Sequence, residues 1–137
     1  MDSCIFCKIV RGEIPCAKVY EDEKVLAFLD LSQTTRGHTL VIPKEHTESI
    51  LTVKEETLKH VYAVAKRLAN ATQEAFHAKG VNVLTNANAV AGQTVPHFHV
   101  HVLPRYGESD ALKIDFLENS KKGDLSEIAS LLKEKVK

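Results

Sequence analysis

The chain has 137 residues, enough for one ordinary domain and too few for two with separate cores, so it is read as a single domain over 1–137. Hydrophobic types at 44% against 26% charged match a globular protein and exclude the disordered and fibrous classes. Eighteen basic and eighteen acidic side chains cancel, which removes the diffuse positive field a nucleic-acid polymer would need, and no apolar run approaches the roughly 20 residues of a membrane span.

The first twenty residues lack the apolar centre of a secretory signal, so the expected location is cytoplasmic. Three cysteines are an odd number. In a reducing compartment the Cys4-x-x-Cys7 pair reads as a metal or redox element rather than part of a disulfide framework, and Cys16 as structurally ordinary. Around the pair, residues 3–14 suggest a short helix or turn ending at Gly12 and Pro15.

Lys18 to Tyr20 and Val25 to Leu29 are β-prone runs on either side of an acidic turn, the pattern of a hairpin. His38 to Ile42 predicts a third strand stopped by Pro43. From Thr52 the apolar period becomes helical, through Leu58, Val61, Tyr62, Ala65, Leu68, Ala69, Thr72 and Phe76. Thr52 with Glu55 is expected to form a capping box, Gly80 to stop the helix, and His60 and His77 to lie at its surface. Val81 to Thr85 and His97 to Leu103 predict two more strands joined by a loop over 86–94, and Leu125 to Val136 a second amphipathic helix opened by Asp124 and Glu127. Strands linked by short hairpins, with two helices, predict an α+β fold with an antiparallel sheet.

Residues 80–104 form a run of 25 without Asp, Glu, Lys or Arg, where about six would be expected from an even spread of charge. A segment so free of charge is usually buried, yet this one carries Asn86, Asn88, Gln93, Thr94, His97, His99 and His101. Buried polar groups need partners or a purpose, so the segment marks a pocket. Strand alternation turns His97, His99 and His101 to one face and Phe98, Val100 and Val102 to the other.

A row of imidazoles can ligate a catalytic metal, or one ring can act as a nucleophile while its neighbours orient it. Gly92-Gln93-Thr94 offers backbone N–H groups, an amide and a hydroxyl suited to phosphate oxygens, and the segment has no carboxylate to complete a metal shell. These residues favour a nucleophilic histidine acting on phosphorus. His99, flanked by rings on both sides, is the expected nucleophile, with its other nitrogen held as N–H by a backbone carbonyl. Two other classes stay open: a zinc hydrolase with the row as ligands, and a non-catalytic module that binds a mononucleotide for a partner to read.

The row His97-Phe98-His99-Val100-His101-Val102-Leu103 resembles the signature of the histidine-triad, or HIT, proteins. The likeness continues through Asp30, Gly37-His38-Thr39-Leu40-Val41-Ile42-Pro43-Lys44-Glu45-His46, Asn86 and Gly92-Gln93-Thr94, over a core of residues 4–105, with 106–137 an extension and helix of no assigned chemistry. The resemblance implies a HIT-like fold with a five-stranded antiparallel sheet, one long helix and a C-terminal helix, in a homodimer whose sheets join. It implies attack by His99 on the α-phosphate of a nucleotide phosphoramidate, anhydride or dinucleoside polyphosphate, through a covalent nucleotidyl-histidine, with His97 and His101 as the other catalytic residues. His101, Gly92, Gln93 and Thr94 would meet the phosphate, with Asn86 and His38 in support. Asp30 would hold the ribose hydroxyls, the alternative for it being a turn cap. Phe6, Ile9, Phe28 and Leu31 would wall a purine base or simply belong to the core. Zinc-containing relatives further imply a structural zinc at Cys4, Cys7, His46 and His97, the alternative being free thiols; no catalytic metal is expected, and the lack of a long apolar run leaves no membrane partner to expect.

Overall fold

The computed structural model describes residues 3–119, 121 and 123–137. In chain order the elements are α1 (Ile5–Val10), β1 (Lys18–Glu21), β2 (Val25–Leu29), β3 (Thr39–Pro43), α2 (Glu55–Phe76), β4 (Gly80–Leu84), β5 (Val100–Arg105) and α3 (Leu125–Lys135), with a 3-10 turn at Ala89–Ala91. The strands form one five-stranded sheet in the order β1-β2-β3-β5-β4, and every neighbouring pair is antiparallel. The α+β class and the antiparallel sheet expected from the strand pattern are both present.

The middle of the sheet is covered on both sides, which explains why β3 is buried along its whole length and shows no alternation. On one face Val61, Val64 and Ala65 of α2 pack with Val25, Ala27, Val41, Val100, Val102 and Phe98, all inaccessible to solvent. On the other face Phe6 and the two cysteines of the α1 segment pack with Leu26, Phe28, Leu40 and Ile42. Register carries the second face toward the histidines: Phe28 lies opposite Leu40, and Leu40 opposite His101.

Several boundaries differ from those read in the sequence. The last strand begins at Val100 instead of His97, because the Phe98 N–H is donated to the Thr47 carbonyl (2.7 Å) and not to a sheet neighbour. Pro43 is the last residue of β3, paired with Val25, instead of the residue that stops it. Helix α2 starts after Lys54 without a side-chain cap, so the Thr52–Glu55 capping box does not form. The Thr52 hydroxyl instead lies 3.1 Å from that of Thr47. Its stop is His77, left-handed at φ 57°, and Gly80 opens the next strand. His60, off the apolar stripe as expected, has its Nε2 2.7 Å from a carboxylate oxygen of Asp22 and ties α2 to the β1–β2 turn.

Helix α3 forms where its period put it, with the Asp124 carboxylate accepting from the Ser126 N–H. Its apolar side chains are not buried against the rest of the chain: Leu125, Ile128, Leu131 and Leu132 are all exposed, as is Val136 just beyond it.

Candidate active site and metal-ligand cluster

Two groups of side chains converge on the α1 face of the sheet. The first contains Cys4, Cys7, His46 and His97, whose ligand atoms all lie within 4.8 Å of one another. Cys4 is the N-cap of α1, and its sulfur accepts the Cys7 N–H, so one turn of helix aims both thiols the same way. The Cys4 Sγ lies 3.4 Å from His97 Nδ1, and Cys7 Sγ lies 3.3 Å from His46 Nδ1 and 3.6 Å from His97 Nδ1. A tetrahedral zinc with ordinary Zn–S and Zn–N bonds has sulfur-to-nitrogen edges of about 3.6 Å, so the donor set fits that ion.

His97 is wholly buried, and its Nε2–H donates to the Pro43 carbonyl at 2.8 Å, which leaves Nδ1 bare toward the thiols. Burial lowers its pKa to about 4, with the neighbouring His46 and His99 acting in the same direction against the Pro43 bond. Burial raises the Cys7 thiol, and Cys4 beside it adds to the effect. A neutral His97 ring and a Cys7 thiol that burial keeps from ionising alone, with Cys4 and His46 beside them, are a donor set suited to a cation.

The second group lines a cavity of about 240 Å³. Phe6, Ile9, Phe28 and Leu31 are on its wall together with Asp30, Thr94, His99 and His101. Leu31 stands almost fully exposed at the lip, whereas Phe6 and Phe28 are buried. A larger cleft of about 510 Å³ lies between the hairpin turn and the start of α2. On its rim Lys44 pairs with Glu21, Lys54 with Glu45 and His60 with Asp22, and it carries no cluster of histidines comparable to that of the smaller cavity.

His99 Nδ1–H donates to the carbonyl of His97 at 2.7 Å, the contact expected for a ring held in one tautomer, and Nε2 is left as the bare nitrogen. Phe6 meets the ring edge-on with centroids 5.1 Å apart and limits its rotation. Burial lowers the His99 pKa against the opposing His97 bond and the Asp30 charge, so the ring is neutral near pH 7. His101 Nδ1 lies 3.0 Å from His38 Nε2. Burial, with His99 and His38 nearby, lowers His101 to about 4, and burial lowers His38 as well.

Asp30 makes the turn cap that is the alternative role for it, and one carboxylate oxygen is left over. Its Oδ1 accepts the amide and hydroxyl hydrogens of Ser32, capping the turn (2.8 and 2.6 Å), while Oδ2 faces His38 Nε2 at 3.8 Å. Burial raises this carboxyl, but the Ser32 bonds and the two histidines outweigh it and keep it ionised.

The loop before the histidines differs from its expected form. Gly92 N–H donates to Ala89 and Gln93 N–H to Asn88, so these two groups hold the loop together and do not line an open cradle. The Gln93 amide binds the carbonyls of Glu48 and Val95 and accepts from the Asn88 N–H. Asn86 reaches the Gly92 carbonyl at 3.5 Å, and Gly92 itself needs φ 99°, a glycine conformation. Of this loop, Thr94 is the residue on the cavity wall.

Sequence reasoning missed Thr85, whose hydroxyl donates to the His99 carbonyl (2.7 Å), and the cavity lining by Leu40 and Cys16. Only pairing register could have found Leu40, since it lies opposite His101. The histidine row does not converge on a point: among the described residues, the two groups able to hold a metal draw separately on His97 and on His101.

The HIT domain family profile matches residues 11–108. A crystal structure of a HIT family protein from Bacillus anthracis superposes with a TM-score of 0.94 at 48% identity, covering 99% of each chain. That of a Zn-bound histidine triad family protein from Mycobacterium smegmatis gives 0.78 at 39% identity, covering 98% of this chain and 99% of the other. Among sequence relatives, an adenosine 5'-monophosphoramidase of Schizosaccharomyces pombe, hnt1, is 40% identical over 112 residues, 82% of this chain and 81% of the relative. With the profile, the superposed structures and the histidine row in agreement, the chain belongs to the HIT domain family.

Proposed function

We propose that this protein is a nucleotide-binding hydrolase or transferase of the phosphoramidase type, acting at the α-phosphate of a nucleotide phosphoramidate, anhydride or dinucleoside polyphosphate. The observation that carries the reading is the His99 ring: buried, neutral, and held by the His97 carbonyl with Nε2 unprotonated. In the first displacement Nε2 forms a bond to phosphorus as the bond to the leaving group breaks. With Nδ1 accepting from His38, His101 carries its own proton on Nε2, from which the leaving nitrogen or oxygen can be protonated. In the second, water gives a proton to His101 Nε2 as its oxygen bonds to phosphorus, the nitrogen–phosphorus bond breaks, and the His99 imidazole returns neutral.

Phe6, Ile9, Phe28 and Leu31 would sandwich the base, with Asp30 at the ribose and Thr94 and His101 at the phosphate. Gly92, Gln93 and Asn86 would shape the loop beside it. Cys4, Cys7, His46 and His97 would hold a structural zinc, which when bound supplies a rigid cross-link behind the reacting histidine. The phosphoramidase name of the fission-yeast relative and the zinc in the mycobacterial structure agree with this reading. We further infer a cytoplasmic homodimer, joined through an edge of the sheet, with one HIT domain per chain.

The test is covalent trapping. Rapid denaturation during turnover of an adenylyl phosphoramidate should yield a protein heavier by one adenylyl group, with the adduct on His99. His99→Ala should lower turnover at least about 10³-fold while AMP binding is retained. Undiminished turnover in that variant removes the nucleophile from the reading.

A further inference from the structure

The second group of donor atoms has a capacity that the proposed reaction leaves unused. Asp30, His38 and His101 each offer one ligand atom, and the three lie within 4.8 Å of one another. His38 Nε2 is 3.0 Å from His101 Nδ1 and 3.8 Å from Asp30 Oδ2. Three ligands on one tetrahedral ion would sit about 3.4 Å apart, between those two separations, so on the two edges that meet at His38 closing on a cation needs shifts of a few tenths of an ångström. The turn from Asp30 to His38 is already fixed: Ser32 binds Oδ1, leaving Oδ2 turned inward, and Gln33 clamps the carbonyls of Asp30 and His38.

We propose that Asp30, His38 and His101 form a second cation site, separate from the cysteine cluster, that takes a divalent transition-metal ion such as Zn²⁺ and blocks the nucleotide pocket when filled. Two imidazoles and one carboxylate are the ligand type zinc accepts in three-ligand sites with an open position, whereas Mg²⁺ and Ca²⁺ require shells built of oxygen. Both rings are neutral and Asp30 is ionised, so the ion enters without expelling a proton to solvent. The hydrogen shared between His38 Nε2 and His101 Nδ1 moves to His38 Nδ1, and both freed lone pairs go to the metal.

That move sets the strength of the site. His38 Nδ1 is buried and, with Thr35 Oγ1, is one of two such side-chain atoms without a hydrogen-bond partner among the described residues. Placing a donor hydrogen there opposes binding. The ion is therefore held more weakly than at a site with two thiolates. The blocking half of the inference rests on the proposed function, since it assumes that Asp30 and His101 are wanted by ribose and phosphate. The cation site itself does not.

Calorimetric titration of Zn²⁺ into the full chain already carrying one equivalent should reveal one further equivalent. Asp30→Asn and His38→Gln should each weaken it at least tenfold and spare the first, and Cys4→Ser should do the reverse. With Co²⁺ as probe, the second equivalent should lack the thiolate charge-transfer absorption of the first. The absence of a second equivalent, or its indifference to Asp30→Asn, overturns the site, and that near-isosteric change serves even if His38→Gln does not fold. Saturating AMP should raise the apparent dissociation constant for the second ion. If AMP tightens it, the ion bridges the phosphate and the blocking role is wrong. If AMP fails to bind the metal-poor protein, the proposed function falls while the metal titration still decides the site.

Discussion

At position 37 a glycine holds one wall of the histidine cluster in register. Gly37 has φ 94°, and a Cβ there would meet the Phe76 ring at 3.0 Å and Pro104 at 3.3 Å. Its N–H binds Gln33, whose amide in turn holds the carbonyls of Asp30 and His38. Gly37→Ala should therefore lower stability by about 1–3 kcal/mol, read from the urea midpoint at constant slope. The sequence displays this residue beside His38, but not its contact with Phe76, because the distance between them along the chain is closed only by the packing of α2.

Legibility at the scale of single residues followed chemistry more than position. The His97-x-His99-x-His101 spacing is a pattern of period two, and it delivers Phe98, Val100 and Val102 to the core even though the strand starts only at Val100. The N–H groups of Gly92 and Gln93 could not be read in the same way. Whether a loop amide points outward or closes on Ala89 or Asn88 depends on the left-handed turn at Asn88 and Gly92, which composition does not specify.

Among the elements, α1 is too short to persist alone, since a six-residue helix lacks the length to offset its nucleation. It is held by Phe6, by the two cysteines, and by the donors facing them on His46 and His97. Cys4→Ser should cause the loss of one zinc equivalent in metal analysis of purified protein, with a lowered thermal midpoint. Retention of full zinc content would mean that the ion sits elsewhere. Helix α2 was legible because 22 residues carry one apolar stripe, whereas its ends were not. Thr52 and Glu55 have the spacing of a capping box, but the Thr52 hydroxyl is drawn to the 47–52 turn, and a local side-chain bond there competes with the cap.

The molecule as a whole has an acid-sensitive interior. His101 is held down to about 4 and His38 is also depressed, each chiefly by burial, from an ordinary 6.5. As pH falls below 6.5 the unfolded chain takes up these protons before the folded one does. Stability is thus complete above about 6.5 and declines as pH falls toward 4, a slope that urea denaturation at several pH values should reproduce. The far C-terminus contributes differently. Arg105 binds Asp110 and the Leu112 carbonyl, so the first part of the extension is anchored, but no apolar residue of α3 is buried. Removing residues 121–137 should shift the unfolding free energy of the monomer by less than about 1 kcal/mol. A larger loss in urea titrations would mean that another chain covers that helix.

His97 serves its neighbours through two unlike atoms, a ring nitrogen toward the thiols and a main-chain oxygen toward His99. Every amino acid brings that oxygen, whereas few bring such a nitrogen. Under the proposed function, exchanging one letter at this position would remove the metal ligand and still leave the His99 imidazole tethered, so the proposed ion and the proposed nucleophile could be inherited separately.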